Sequence, residues 1–237
     1  MTEQSKDGIN KVNYIRYADD FIVTGKDKEI LEKAKRVIQE FLETRGLELS
    51  EEKTLITHIE EGFDFLGWNF KKYNGKLLIK PSKKSTKKMI ETLRETIHKN
   101  ATMEQGNLIH RLNPIITGWC NYHQPICAKK TFSQIDKILF EILWTWAKRR
   151  HHKKSSHWIS KRYWKKDKTR NWVFSNGTVT LKMCADVPIV RHISLKLNKN
   201  PYLDKDYFEN KKIIQREKRA RAYKRTVAHK LACNNIS

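Results

Sequence analysis

The alternation of apolar and polar residues near the N-terminus predicts a β-hairpin. Residues 14–17 read YIRY and residues 21–23 read FIV, two short runs rich in aromatic and β-branched side chains. Runs of this kind are typical of half-buried strands. Because Asp19 and Asp20 lie between them, we predict a tight hairpin that holds both carboxylates at its bend.

A helical pattern follows the predicted hairpin. In residues 27–45 the apolar side chains recur at helical spacing on one stripe, with charged side chains opposite. Asp27 is placed to cap this helix and Gly46 to end it. Asn74 and Gly75 predict a hairpin turn. Short strands are predicted over residues 47–50, 54–58, 63–72 and 76–80.

The pattern becomes mainly helical after Pro81. Thr102 and Gln105 fit a capping box, and Asn113 followed by Pro114 predicts the start of a new helix. The predicted helices cover residues 82–100, 102–112 and 131–150. Beyond them we predict a hairpin over residues 171–183, a strand over 189–197, and a basic segment, helical or disordered, over 211–230.

This order of elements predicts an α+β fold. It would consist of an antiparallel sheet with a packed helix, then a helical region, then a small β-hairpin region. Shifts in composition divide the chain into residues 1–80, 81–170 and 171–237. The 237 residues are enough for one large domain or two smaller ones, each with its own core.

Charge is unevenly distributed along the chain, whose net charge is +23. Residues 1–70 carry 10 basic and 15 acidic side chains, whereas residues 71–170 carry 25 and 6. A lysine-rich composition alone would raise the charge everywhere, so the asymmetry indicates a half that binds a polyanion, and nucleic acid is the favoured partner. No apolar run approaches the ~18 residues of a membrane span, so no membrane partner is expected. Without a secretory or transit pattern, a cytoplasmic location is expected, with a bacterial home favoured over an organellar one.

Cysteine and histidine spacing predicts neither a zinc site nor a disulfide framework. The cysteines are interpreted as reduced, mostly buried side chains, because no two of them have C-x-x-C spacing. They are Cys120, Cys127, Cys184 and Cys233. His151, His152 and His157 have no carboxylate or thiolate at ligand spacing, and we interpret them as neutral donors beside phosphates.

The acidic pair at the predicted bend has two interpretations. A bare Asp-Asp pair is most often a solvated turn. Two carboxylates held at one point repel each other unless a divalent cation neutralises them, and oxygen ligands of this kind suit Mg²⁺. Apolar strands flank the whole string YADD at residues 17–20, and the blocks that follow along the chain decide between the two interpretations.

Cations and aromatic rings are interleaved between residues 144 and 166. Residues 148–154 read KRRHHKK, more basic character than the dipole of a helix C-terminus requires. Cations for phosphates beside flat rings for unpaired bases favour RNA binding. Trp119, Trp144 and Trp146 lie at helical spacing and are interpreted as core side chains rather than base platforms.

Several blocks of the chain resemble those of group II intron reverse transcriptases and maturases. YADD at residues 17–20, LSEEKT at 49–54 and FDFLGW at 63–68 follow one another as the later palm blocks do in that family. LNPIITGWCNY at residues 112–122 and WTWAKRRH at 144–151 resemble its maturase-specific domain. The resemblance implies a partial polymerase palm in residues 1–80, a thumb and maturase domain in 81–170, and a hairpin region with a basic tail in 171–237.

The resemblance also implies roles for individual residues. Asp19 and Asp20 match the catalytic pair that holds Mg²⁺ during nucleotidyl transfer in the family. Tyr17, Ala18 and Gly67 match positions in the vicinity of the nucleotide and primer. The expected RNA-binding residues are Lys83, Lys84, Lys87, Lys148, Arg149, Arg150, His151, Lys153, Lys154, Trp158, Lys161, Arg162 and Tyr163.

Members of this family are RNA-directed DNA polymerases that also assist the splicing of their own intron. Intron RNA is therefore the expected partner, with target DNA a further one through residues 211–230. The fingers and a third catalytic Asp have no counterpart in the twelve residues before Asn13, so no polymerase activity is expected of this chain alone. An upstream-encoded fingers and palm fragment is a third expected partner. Two alternatives stay open: a stand-alone RNA-binding splicing factor, and a non-functional remnant of a truncated retroelement.

Overall fold

The computed structural model describes residues 12–167, 170–196 and 198–234, and it divides into two units at Gly62 and Phe63. The first unit contains β1 (Asn13–Tyr17), β2 (Asp20–Thr24) and α1 (Lys28–Glu43). The second contains β3 (Phe63–Phe65), β4 (Trp68–Tyr73), β5 (Lys76–Pro81), α2 (Lys83–Lys99), α3 (Gln105–His123), α4 (Lys129–Arg150), α5 (Ser156–Tyr163), β6 (Trp164–Asp167), β7 (Arg170–Phe174) and α6 (Lys205–Asn234). Helices combined with small antiparallel sheets confirm the α+β fold.

The predicted acidic hairpin is confirmed. β1 and β2 pair antiparallel with Tyr17 opposite Asp20, which leaves Ala18 and Asp19 as a two-residue loop. Ala18 has a φ of +50°, in the left-handed region that the favoured two-residue hairpin loops use. Asp19 therefore lies in the loop itself, and Asp20 is the first residue of β2.

α1 confirms the predicted helix, but the predicted side-chain cap at its N-terminus is not formed. Asp27 occupies the N-cap position, but its side chain accepts no capping hydrogen bond. At the other end Gly46 has a φ of +67°, and the Leu47 N–H donates to the Leu42 carbonyl at 3.0 Å. This is the Schellman ending that a glycine after a helix favours. No residue in the described part of this unit, 12–62, is fully buried, and Phe41 of the predicted apolar stripe is exposed.

The strands predicted over residues 47–50 and 54–58 are wrong, because both segments are irregular. A strand needs a neighbour to satisfy its backbone N–H and C=O groups, and between residues 12 and 62 the structure describes only the ladder of β1 with β2. Backbone groups in this segment form local hydrogen bonds instead: the N–H groups of Lys53 and Thr54 donate to the Ser50 carbonyl at 3.2 and 3.0 Å.

The second unit opens with a three-stranded antiparallel meander in the order β3-β4-β5. The single strand predicted over residues 63–72 is wrong, because Leu66 and Gly67 turn the chain with φ angles of +49° and +77°. Leucine is uncommon at positive φ, so the residue pattern did not indicate this turn. The turn at Asn74 and Gly75 is confirmed, with φ angles of +46° and +78°.

α2, α3 and α4 pack around the main core of this unit. The Cys127 N–H, just before α4, donates at 2.9 Å to the carbonyl of Ile79, just before α2. At the far ends, Arg150 of α4 donates to the carbonyl of Ala101, just beyond α2. α2 and α4 therefore run parallel. α3 runs in the opposite direction, from the end of α2 to the start of α4. The buried core includes Met89, Leu93, Leu108, Leu112, Ile116, Phe132, Ile135, Leu139 and Leu143.

The break predicted at Asn113 and Pro114 is wrong, because α3 runs unbroken through Pro114. Proline in a helix interior removes one hydrogen bond and costs about 3 kcal/mol. Leu112 and Ile116 on either side are buried in the core, and their burial offsets that cost. Asn113 does not cap a helix: its side chain donates to the Thr180 carbonyl at 3.0 Å and accepts the Lys182 N–H at 2.8 Å.

The predicted capping box at the start of this helix is also wrong. α3 begins at Gln105 rather than near Thr102, and Glu104 occupies its N-cap position without a side-chain hydrogen bond. The Gln105 side chain is used elsewhere, since its amide donates to the Tyr163 carbonyl at 2.8 Å. A long-range contact has thus replaced the local one that the sequence pattern favoured.

The region after α4 differs from the predicted hairpin over residues 171–183. β7 pairs antiparallel with β6 rather than with the residues that follow it. The two sides of the expected hairpin are joined by the bridge between Ser175 and Thr180, by the bond from the Leu181 N–H to the Phe174 carbonyl at 3.0 Å, and by the Ser175 hydroxyl, which donates to the Val179 carbonyl at 2.9 Å. The strand predicted over residues 189–197 is wrong for residues 189–196, which are irregular; Leu197 lies outside the described residues.

The basic segment 211–230 is helical and belongs to α6, a helix of 30 residues. Polar contacts join α6 to the rest of the unit. The Lys218 ammonium donates to the Arg191 carbonyl at 3.0 Å, and the Gln215 side chain accepts the Ile193 N–H at 3.2 Å. Lys230 forms an ion pair with Asp186. The described helices include none long and apolar enough to cross a membrane.

Candidate functional site

The acidic hairpin presents its two carboxylates to solvent. Asp19 and Asp20 are both exposed. Arg16 stabilises the loop by donating a hydrogen bond from Nε to the Ala18 carbonyl at 2.7 Å. Tyr17 is exposed directly before the loop. Within residues 12–167, 170–196 and 198–234 no group of three or more His, Cys, Asp or Glu side chains is close enough to hold a metal ion. Two adjacent carboxylates fit one Mg²⁺ that keeps several of its waters, and on their own they do not fit a two-metal centre.

Gly67, which was expected near the nucleotide and primer, lies in the loop between β3 and β4 in the second unit. Its carbonyl accepts the Ser82 N–H at 2.9 Å, and the preceding Leu66 carbonyl accepts the Tyr122 hydroxyl at 2.5 Å. Because its φ is +77°, in the left-handed region, this position is suited to glycine. The loop is thereby fixed to α2 and α3.

The C-terminal end of α4 and the turn after it form an exposed cationic surface, which we call the basic turn. It consists of Lys148, Arg149, Lys153 and Lys154, and all four are exposed. None of these side chains forms an ion pair with a carboxylate in the described parts of the chain. Lys161 and Arg162 on α5 are likewise exposed. Cations without a protein counterion are available to phosphates.

Three of the expected RNA-binding residues, which lie beside the basic turn, form contacts within the protein that support the fold. Arg150 donates to the carbonyls of Ala101 and Met103, both at 2.9 Å, and its guanidinium lies 4.7 Å from the Trp146 ring centroid. His151 and Tyr163 share a hydrogen bond of 2.8 Å between Nε2 and the hydroxyl. Tyr163 is only 5% exposed, so its ring packs in the core.

The surroundings of His151 favour its neutral imidazole form. Burial and the neighbouring cations Arg150, Arg162 and Lys154 all lower the pKa of His151. Trp158 packs against it with ring centroids 4.8 Å apart, and Lys154 lies over the Trp158 ring at 5.5 Å. Since Trp158 is 37% exposed, part of its ring faces solvent beside the basic turn.

The second expected group of cations lies at the opposite end of the helices. Lys83, Lys84 and Lys87 are exposed in the first turns of α2, and Lys87 has a carboxylate neighbour in Glu91 at 3.9 Å. Because α2 and α4 run parallel, the 17 residues of α2 separate these lysines from the basic turn by about 25 Å. The structure therefore does not bring the two groups together, and one ligand that reaches both must span that distance.

A buried polar network packs beside the loop that contains Gly67. His123 is fully buried; its Nε2 lies 3.2 Å from the Ser85 hydroxyl, and Trp119 Nε1 donates to the same hydroxyl at 3.3 Å. Nδ1 of His123 has no partner among the described residues. Burial lowers the pKa of His123 to about 4, because a buried imidazolium would lose its hydration.

The buried His123 should make the stability of the protein depend on pH. The pKa of histidine is about 6.5 in the unfolded chain and about 4 in the folded one, so the unfolded state binds the proton more tightly. The free energy of unfolding should therefore fall as pH drops from about 6.5 to 4, by up to roughly 3 kcal/mol. Urea unfolding at pH 7 and pH 4.5 measures this loss. His123→Gln should reduce it, whereas the exposed control His98→Gln should not; an equal loss in all three proteins would contradict the prediction.

Sequence reasoning missed two polar anchors of this region. Arg150 was assigned to RNA, yet it joins the end of α4 to the segment before α3. Asp136 was not singled out, yet its buried carboxylate accepts the N–H groups of Cys184 and Ala185, both at 2.8 Å. An aspartate on the apolar stripe of a predicted helix was the available signal for the second anchor, because a buried charge needs partners.

Comparison with known proteins gives two family matches. Residues 1–70 match the family described as reverse transcriptase (RNA-dependent DNA polymerase), and residues 86–164 match the one described as group II intron, maturase-specific domain. The first match includes the acidic hairpin, and the second includes the basic turn. The two matches occupy different parts of the chain, in the order that the sequence blocks predicted.

Two curated relatives agree with these matches. Both are named group II intron-encoded protein LtrA, one from Lactococcus lactis subsp. cremoris and one from its strain MG1363. Each is 46% identical over 65 residues, which is 26% of this chain and 11% of the relative. The aligned stretch thus spans about a ninth of the length of these relatives. The chain therefore has a segment that matches reverse transcriptases followed by one that matches the maturase-specific domain of group II introns, and in this order it resembles the group II intron reverse transcriptase/maturase family.

Proposed function

We propose that this chain binds the RNA of a group II intron and stabilises its folded, splicing-competent form. The observation that carries the proposal is the basic turn, four exposed cations that pair with no carboxylate among the described residues, within the segment that matches the maturase-specific domain. The net charge of +23 adds a long-range attraction to any polyanion. Intron RNA is the ligand that best combines this chemistry with the family.

Binding through phosphates has a measurable signature. Each phosphate contact releases a condensed counterion, so the affinity falls steeply as salt concentration rises. A surface that makes roughly 6–10 such contacts loses on the order of 10³–10⁵ in affinity between 50 and 200 mM salt. The span of about 25 Å between the basic turn and the α2 lysines is long enough to cover roughly seven phosphates at 3.4 Å along one strand.

The test is filter binding of the purified chain to its host intron RNA and to an unrelated structured RNA of equal length, over a salt series. We expect a steep salt dependence with both RNAs and tighter binding to the intron. Equal affinity for the two RNAs would contradict intron recognition. Failure to bind either RNA at 50 mM salt would favour the alternative of a non-functional remnant.

Target DNA is a second candidate partner, and α6 favours it. This helix carries ten Lys or Arg against three Asp or Glu, and its 30 residues extend about 45 Å. A long basic helix fits the phosphates of a duplex without reading its sequence. Competition between duplex DNA and intron RNA for the chain would show whether the two ligands use separate surfaces.

We further propose that Asp19 and Asp20 hold one Mg²⁺. Bound there, the ion would neutralise phosphate charge as it does in nucleotidyl transfer generally. The exposed hairpin loop presents both carboxylates, but two carboxylates are too few for a two-metal site. A two-metal centre for polymerisation would need a further carboxylate, and we propose that a fingers and palm fragment supplies it. The bacterial relatives support a bacterial, cytoplasmic location.

Mn²⁺, a paramagnetic substitute for Mg²⁺, tests this site without any activity measurement. Millimolar Mn²⁺ should broaden the amide NMR signals of residues 17–21 first, because the ion would lie closest to the hairpin loop. The effect should disappear in the double variant Asp19→Asn, Asp20→Asn. Glu51 and Glu52 are also adjacent and exposed, so Glu51→Gln, Glu52→Gln is the matched control and should keep the broadening. Broadening that persists unchanged without the two aspartates would refute the site.

A further inference from the structure

Four aromatic rings form a cluster where α4 meets β7. They are Phe140 and Trp144 on α4, Trp164 on β6 and Trp172 on β7. All six pairs of ring centroids lie between 5.1 and 6.4 Å. Trp164 is only 6% exposed and is the buried member of the cluster. We call the other three rings, Phe140, Trp144 and Trp172, the aromatic platform.

The aromatic platform leaves large rings in contact with solvent. Trp172 is 52% exposed and Phe140 is 39% exposed, while Trp144 is half-buried. Trp164 and Trp146 already supply buried aromatic rings to the core on this side of the bundle. The exposed area of Trp172 therefore adds little to the stability of the fold, and contiguous exposed rings of this kind mark interaction sites.

Cations border the platform on α4. Phe140, Trp144 and Lys148 follow one another at intervals of four residues, so they form one row along the helix surface. The Lys148 ammonium lies 6.0 Å from the centroid of the Trp144 ring. Lys148 is also the first residue of the basic turn, so the platform and that surface are continuous. α4 carries two carboxylates, of which Asp136 is buried and Glu141 is exposed.

We propose that the aromatic platform stacks unpaired bases of the RNA strand whose phosphates contact the basic turn. This inference rests on the proposed function and adds a contact that is not ionic. Flat rings bordered by cations are the arrangement that holds single-stranded nucleic acid, with bases on the rings and phosphates on the cations. A protein partner fits less well, because the aromatic row ends in Lys148 and continues into the basic turn.

Stacking predicts a selective loss when the most exposed ring is removed. Trp172→Ala should lower the affinity for a 12-nucleotide single-stranded RNA by about 5- to 150-fold, since one stacked base is worth roughly 1–3 kcal/mol. Trp172→Phe keeps a ring and should retain most of the affinity. Affinity for a 12-base-pair RNA duplex should not change, because paired bases are not available to stack. The slope of log affinity against log salt should also stay constant, because stacking releases no counterions.

Two more variants test whether the loss of affinity comes from the aromatic platform. Phe140→Ala should cause the same selective loss through a second ring, and it provides the test if Trp172→Ala does not fold. Tyr202 is 84% exposed and lies outside the cluster, so Tyr202→Ala is the matched control and should bind as the parent does. Thermal melting checks the fold of each variant.

Two outcomes would overturn the platform. If Trp172→Ala and Phe140→Ala bind single-stranded RNA as the parent does, while loss of the basic turn weakens binding, the proposed function stands and the platform does not contact RNA. If Trp172→Ala instead changes the oligomeric state at unchanged RNA affinity, the platform is a protein interface. If RNA affinity is unchanged both in the platform variants and in the variant that lacks the cations of the basic turn, the proposed function itself is refuted.

Discussion

Replacing Arg149, Lys153 and Lys154 with glutamine is expected to lower the affinity for intron RNA by on the order of 10²-fold at 0.15 M salt. These side chains are exposed and pair with no carboxylate within the described residues. Each phosphate contact contributes about fivefold at this salt concentration, because its counterion is released into dilute solution. The slope of log affinity against log salt should become shallower by about 2 to 3.

The triple variant leaves Arg150 in place, because Arg150 donates to the carbonyls of Ala101 and Met103 and so supports the fold. The matched control removes three exposed cations from the first unit: Lys26, Lys33 and Arg36, also to glutamine. Both variants lose the same net charge, and only the first should lose most of its affinity. Equal losses in the two variants would mean that RNA responds to the overall charge of the chain and that the basic turn is not the binding surface.

Asp136→Ala is expected to destabilise the protein by about 3 kcal/mol and to lower its melting temperature by roughly 6–12 °C. The Asp136 carboxylate is buried in the packed face of α4 and accepts the N–H groups of Cys184 and Ala185, both at 2.8 Å. Burial raises the pKa of Asp136, and the two backbone N–H groups oppose that shift. Alanine would leave the buried Cys184 N–H and the half-buried Ala185 N–H without an acceptor.

Two comparisons separate this anchor from a general effect of mutation. Asp136→Asn retains one acceptor oxygen and should cost about half as much, because its amide cannot accept the second N–H. Asp206→Ala removes an exposed carboxylate from the start of α6 and should change stability by less than about 0.5 kcal/mol. Calorimetry or thermal melting gives all three values. A melting temperature for Asp136→Ala within 2 °C of the parent would show that the anchor contributes little.

Local signals account for much of what the sequence predicted. The acidic hairpin followed from two apolar runs around Asp19 and Asp20, and the Asn74 and Gly75 turn followed from the low cost of positive φ at those residues. α1, α2 and α4 followed from apolar side chains at helical spacing. In each case the information lies within a few neighbouring residues.

The errors occurred where distant contacts decide the local structure. Asn113 looks like a helix cap, but its side chain bonds to Thr180 and Lys182, more than sixty residues away, and α3 continues. β7 lies before an Asn-Gly turn that favours a hairpin with the residues after it, but it pairs with β6 instead. Local propensity cannot register such partners, because the energy comes from groups that only the folded chain brings together.

The sequence by itself determined the resemblance to group II intron proteins, the α+β class and the cationic character of the second half, since these depend on motif order, periodicity and charge. Tertiary structure alone decided which cations remain free for RNA. Arg150 is exposed but donates to the carbonyls of Ala101 and Met103, and the Tyr163 ring is buried. Lys153 is exposed, and Trp172 is 52% exposed. The physical reason is that burial and hydrogen-bond partners are properties of packing, and residues of the same type receive different ones.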